Sequence, residues 1–204
     1  MPRISYLALG DSYTVGTGVE PRQSFPHQLA AALTRNYAIE VHPPRIVAKN
    51  GWRTDNLSNA LGAGQPRANF DLVTLLIGVN DQYQGFKPEG YGDRFVTLLQ
   101  RAKLLAADRS DRVFVISIPD YAFTPFGGND KLISQGINRF NRTASSIVER
   151  SGVSFLNVTG ISREGLDDPQ LVTDDDLHPS SLQYRRWVEE VLVHPIADRI
   201  RRRD

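Results

Sequence analysis

Five short apolar runs, each closed by a turn residue and separated from the next by residues at helical spacing, constrain this chain more than any other feature. They cover Ile4 to Leu9, Arg45 to Lys49, Asp71 to Ile77, Arg112 to Ile118 and Val153 to Val158. The third and fourth, around Leu72-Val73-Thr74-Leu75-Leu76-Ile77 and Val113-Phe114-Val115-Ile116-Ser117-Ile118, are nearly continuous in apolar character, as strands covered on both faces of a parallel sheet must be. Between the runs, Phe25, Leu29 and Leu33 lie four apart, with Pro26 in a first turn where it is tolerated. Phe95, Leu98, Leu99, Ala102 and Leu105 make a second stripe, and Ile133, Ile137, Phe140, Ala144, Ile147 and Val148 a third. A weaker helix after Gly51 rests on Leu57, Ala60 and Leu61. The last helix begins at Ser180 or Ser181, carries Val188, Val191, Leu192, Ile196 and Ile200 on one side, and is expected to kink at Pro195. This alternation predicts a three-layer α/β domain with helices on both faces of the sheet. No repeat, linker or composition break interrupts it, so residues 1–204 are expected to form a single domain.

Charge and cysteine content narrow the function. The 24 basic and 23 acidic residues leave a formal charge of +1, too little for a broad field that would draw in nucleic acid or an anionic membrane. Arg201-Arg202-Arg203 reads as a solvated, frayed end. The absence of cysteine removes disulfides, thiolate metal sites and a cysteine nucleophile together. The apolar run before Gly10-Asp11 is only about seven residues long and lacks a small-residue cleavage site, and no other run is long enough to cross a bilayer. A soluble, cytoplasmic protein without membrane insertion is the expectation.

In open α/β sheets ligands sit beyond the carboxyl ends of the strands, so the residues after each run hold the chemistry. After the first comes Gly10-Asp11-Ser12-Tyr13-Thr14-Val15-Gly16, a tight turn that exposes a serine. After the second, Asn50-Gly51 offers a backbone N–H that no Cβ obstructs. After the third, Asn80 in Gly78-Val79-Asn80-Asp81 can aim a side-chain N–H at the same point. Following the fifth is Asp174-Asp175-Asp176-Leu177-His178-Pro179. His178 precedes proline and is biased to an extended conformation that projects its ring from the loop. Asp175, three residues earlier, can fold back to hold Nδ1 and leave Nε2 free to accept a proton, with Asp174 and Asp176 as other possible orienters. Together these residues supply an acyl-transfer site: Ser12 as nucleophile, His178 as base, and Ser12 N–H, Gly51 N–H and the Asn80 amide as an oxyanion hole.

Ser12, Gly51, Asn80 and His178, in that order, resemble the signature residues of the GDSL, or SGNH, hydrolase family, and Asp175 stands at that family's Asp-x-x-His spacing. The resemblance spans Gly10 to Pro179. It implies the SGNH hydrolase fold, a flavodoxin-like α/β/α arrangement with a five-stranded parallel sheet, a Ser-His-Asp triad, and hydrolysis of small-molecule esters or thioesters without metal or other cofactor. More narrowly, Gly10-Asp11-Ser12-Tyr13-Thr14, Ser117-Ile118-Pro119-Asp120 and Thr124-Pro125-Phe126 are similar to a bacterial lipase/acylhydrolase branch.

Two loops are expected to shape the substrate pocket, 82–91 and 121–131, offering Tyr83, Phe86, Tyr91, Tyr121, Phe123 and Phe126 as apolar surface for an acyl chain, with Gly85, Gly90, Gly127 and Gly128 giving them freedom to move. Two other readings compete: a carbohydrate acetylesterase using the same triad, and a non-catalytic binding module on a flavodoxin-like fold. No Gly-rich phosphate loop follows the first strand, which weighs against flavin or nucleotide. His27, His42 and His194 lack a carboxylate at the spacing seen before His178, and no recognised zinc spacing joins His178 to a second histidine.

Overall fold

A computed structural model of the chain describes residues 3–62 and 69–202; of the basic run, Arg203 lies outside the described residues. Five parallel strands form the main sheet: β1 Tyr6–Gly10, β2 Arg45–Ala48, β3 Leu72–Leu76, β4 Val113–Ile116 and β5 Ser154–Leu156, in the order β2-β1-β3-β4-β5. This is the flavodoxin-like order, with its switch point beside β1. Strands β1, β3 and β4 are buried throughout, which explains their unbroken apolar sequences, while the edge strands β2 and β5 are only half-buried.

Helices cover the sheet in two groups. Phe25–Tyr37 packs with the C-terminal helical run, and Thr54–Leu61, Pro88–Leu105 and Lys131–Glu149 pack side by side. The stripes read from the sequence are the buried faces: Phe25, Leu29 and Leu33 on the first, Phe95, Leu98, Leu99 and Ala102 on another, Ile137, Phe140, Ala144 and Val148 on a third. Each of the Phe, Leu, Ile and Val side chains contributes roughly 1.5–3 kcal/mol on burial, the alanines less. Among the described residues, no helix is long and apolar enough to cross a membrane.

Register places the site. Gly10 at the end of β1 stands opposite Ala48 of β2 and Leu76 of β3. The three central segments therefore leave the sheet level with one another, and Ser12, Gly51 and Asn80 emerge as neighbours.

The boundaries differ from expectation in two instructive places. The first apolar run is split at Ser5, with Arg3–Ile4 pairing in parallel with Glu40–Val41 outside the main sheet. The N–H of Ser5 donates to Asp71 Oδ2 at 2.9 Å, so a side chain takes the place of a ladder partner there. In the C-terminal run, the break expected at Pro195 is a π-helix over Trp187–Leu192, between α-helices Ser181–Arg186 and Val193–Arg201. A proline ring collides with the carbonyl four residues back, here Val191, and a wider turn upstream absorbs the mismatch.

Candidate active site

The serine turn is built by close approach. An added Cβ on Gly10 would lie 2.1 Å from Thr14 Oγ1 and 2.4 Å from the Leu76 carbonyl oxygen, so only glycine lets the chain turn this tightly off the sheet. Asp11 caps the short helix Ser12–Val15, its Oδ1 accepting from Tyr13 N–H at 3.0 Å, and Gly16 closes that helix at φ +83°. Ser12 occupies the first helical position, where a backbone N–H has no partner within the helix.

His178 is delivered by a small closed loop. Val172 and Pro179 form an antiparallel bridge, and Thr173 N–H donates to the His178 carbonyl at 2.9 Å. Within it, His178 Nδ1 lies 2.7 Å from Asp175 Oδ2, and Nε2 lies 3.0 Å from Ser12 Oγ. A carboxylate at Nδ1 selects the Nδ1–H tautomer and leaves Nε2 as acceptor for the serine proton. Asp175 Oδ1 also accepts from His178 N–H at 2.9 Å, Leu177 N–H at 3.0 Å and Thr173 Oγ at 2.7 Å. Partial burial works against the charge of Asp175, but these donors outweigh it and hold the carboxyl at about 2. Asp174 and Asp176 make no hydrogen bond to His178 among the described residues; Asp176 instead adopts φ +64° and accepts Phe126 N–H through its carbonyl.

Gly51 and Asn80 face the same cleft as Ser12 and His178. Gly51 stands at φ +78°, and a Cβ there would meet nothing within 4 Å, so it is the backbone conformation and not a close neighbour that favours glycine. Asn80 donates one Nδ2 hydrogen to the Trp52 carbonyl at 3.0 Å. That bond fixes the amide and leaves its second hydrogen for a ligand. Ser12, Gly51 and Asn80, from three segments, thus line one cleft, and their N–H groups are of the kind that can hold a developing oxyanion.

The cleft measures about 210 Å³ and its outer wall is aromatic: Tyr83, Tyr121 and Phe126, with ring centroids 6.2–6.4 Å apart. Tyr13, Val79 and Leu177 complete the apolar lining, residues that sequence reading passed over although each neighbours a residue it had singled out. Three of the aromatics expected at the pocket lie elsewhere. Phe86 sits between the guanidinium groups of Arg53 and Arg94, 5.2 and 5.0 Å from its centroid, where cation–π attraction holds it outside the cleft lining. Phe123 turns under Arg163 at 5.9 Å. Tyr91 belongs to helix Pro88–Leu105 and is fully buried, its ring 4.7 Å from that of Phe140 and its hydroxyl donating to the Ile77 carbonyl. His27 bonds Ser24 and His194 bonds Tyr37, both away from the cleft. Among the described residues, no three His, Asp or Glu side chains are grouped as a metal ligand set.

A family model described as the GDSL-like Lipase/Acylhydrolase family matches residues 8–186, a span that includes Ser12, Gly51, Asn80, Asp175 and His178. No curated protein matches the chain in sequence. Among solved structures, the lipase/acylhydrolase from Enterococcus faecalis superposes with a TM-score of 0.75 at 17% identity, each chain covered in full (100%). The lipase Lip_vut3 from a goat rumen metagenome gives 0.75 at 19% identity, covering 92% of this chain and 95% of its own. The acetylxylan esterase Axe2 from Geobacillus stearothermophilus gives 0.70 at 16% identity, covering 98% and 95%. At these identities the superpositions establish the fold, and the family match carries the chemistry: the chain belongs to the GDSL-like Lipase/Acylhydrolase family and is a hydrolase of carboxylic esters.

Proposed function

We propose that the chain hydrolyses short to medium acyl esters or thioesters by way of an acyl-enzyme, with Ser12 as nucleophile, His178 as general base and then acid, and Asp175 as the orienting carboxylate. The observation that carries this reading is the unbroken hydrogen-bonded line from Ser12 Oγ through His178 to Asp175, opening on a cleft. Nε2 takes the hydroxyl proton as Oγ attacks the carbonyl carbon. Charge gathers on the carbonyl oxygen, where Ser12 N–H, Gly51 N–H and Asn80 Nδ2 receive it. Collapse breaks the bond to the leaving alcohol or thiol, which departs with the proton from Nε2. Water then repeats the sequence on the acyl-enzyme and releases the acid.

The lining supports an acyl substrate in preference to an acetylated sugar. Among the described residues, no Lys, Arg, Asp or Glu lines the cleft, and the surface facing Ser12 is largely aromatic or aliphatic. Such a wall rewards each added methylene with up to about 0.8 kcal/mol. Hydrolysis rates on a p-nitrophenyl ester series, set beside acetylated xylo-oligosaccharides, test the reading. Rising kcat/KM from acetyl to butyryl or hexanoyl esters is expected, with Phe126→Ala flattening the rise and Phe86→Ala leaving it intact. Preference for the sugar acetates would transfer the site to the deacetylase reading, and full activity in Ser12→Ala would remove the serine mechanism.

A further inference from the structure

Gly51 and Asn80 come from different loops, and a donor pair assembled that way works only if something fixes the distance between them. Asp81, next to Asn80, is fully buried. Its Oδ2 accepts from Thr54 N–H at 2.9 Å, and its Oδ1 accepts from Thr54 Oγ at 2.7 Å and from Arg94 Nη2 at 3.0 Å. Arg94 Nε donates in turn to Thr54 Oγ at 2.8 Å, so the three side chains close on one another. Thr54 opens helix Thr54–Leu61 three residues after Gly51, and the bond from Asn80 Nδ2 to the Trp52 carbonyl lies between the two points. The Gly51 and Asn80 segments are therefore joined twice, once through Trp52 and once through Asp81.

From this double link we infer that Asp81 is a positioning residue, which with Thr54 and Arg94 sets the spacing of the Gly51 and Asn80 donors toward the oxyanion. The inference rests on the reading of those two groups as the oxyanion hole. A carboxylate suits the task because its two oxygens accept all three donors, and the guanidinium of Arg94 offsets the charge that burial would otherwise leave uncompensated. Donors displaced by a fraction of an ångström from the developing oxyanion lose much of their effect on rate while barely altering how the uncharged ester binds.

A double-mutant cycle on the intact chain tests this, with p-nitrophenyl butyrate as substrate and thermal unfolding followed in parallel. Thr54→Val removes the hydroxyl link and keeps both shape and backbone N–H; kcat is expected to fall about tenfold with KM within about twofold, while Thr54→Ser stays near wild type. Arg94→Met, at a side chain that is 31% exposed, gives a second route should Thr54→Val fail to fold, with a kcat loss of about three- to fivefold expected. Asn80→Ala alone is expected to cost about 10²- to 10³-fold in kcat, and in that background both variants should lose most of their effect. Equal losses with and without Asn80, a rise in KM at unchanged kcat, or lowered melting temperature with wild-type kcat would each overturn the positioning role. A full rate in Asn80→Ala would instead overturn the oxyanion-hole reading beneath it.

Discussion

Asp11 sits one residue before Ser12, sealed beneath the serine turn, whereas Asp175 reaches the same serine through His178 from a loop at the surface. Desolvation pushes the Asp11 carboxyl up to about 8, the Tyr13 N–H offsetting part of that and the Asp81 carboxylate adding to it. Its Oδ2 has no hydrogen-bond partner among the described residues. Asp175, by contrast, collects four donors and is held at about 2. Closeness in sequence to the proposed nucleophile therefore says nothing about which carboxylate can steady an imidazolium. That role needs an anion at neutral pH, and the supply of donors decides which aspartate is one.

The largest effect should separate the two at once. Asp175→Asn is expected to lower kcat by about 10³- to 10⁴-fold on a p-nitrophenyl ester, because an amide at that position no longer fixes the tautomer. Asp11→Asn, nearly the shape and charge of a protonated carboxyl, should keep kcat within about threefold. A loss in Asp11→Asn as large as that in Asp175→Asn would break the comparison. Thr173→Val, which strips one donor from Asp175, is expected to cost about five- to tenfold in kcat.

Stability against pH sharpens the contrast, with opposite signs. The folded state keeps a proton on Asp11 that the unfolded chain releases near its ordinary value of 3.8, so stability from this group is full below that pH and is lost as pH rises toward about 8. Urea unfolding should therefore show Asp11→Asn gaining on wild type between pH 4 and 8. For Asp175 the stabilisation is present above 3.8 and disappears as pH falls through about 2. Because its side chain is 38% exposed, solvent screening makes this the smaller effect, visible as a narrowing gap between wild type and Asp175→Asn in acid.

Much of this molecule was readable from its residues, and the unreadable parts share a cause. Strand runs and helical stripes report burial, which periodicity encodes directly, so the sheet and the helices on both its faces were legible from Leu72 to Leu76 or Phe95 to Ala102 as written. The strand-end positions of Ser12, Gly51, Asn80 and His178 followed from the same pattern. Where a side chain's role depends on partners distant in sequence, local pattern is silent. Phe86 looked like pocket lining because nothing near it announces Arg94, and Tyr91 looked like loop because helix Pro88–Leu105 begins seven residues before Phe95, where its apolar stripe becomes regular. The buried side chains of Asp11 and Asp81 were likewise hidden inside ordinary-looking turns. Their environments are made by Tyr13, Thr54 and Arg94, and only the fold brings those together.

The central claim is that Ser12 is the nucleophile that His178 activates, and intact-protein mass spectrometry after treatment with a fluorophosphonate tests it most directly. A single adduct, mapped to Ser12, abolished in Ser12→Ala and formed far more slowly in His178→Ala, is the predicted result. An adduct on another serine, or undiminished labelling of Ser12→Ala, would contradict it.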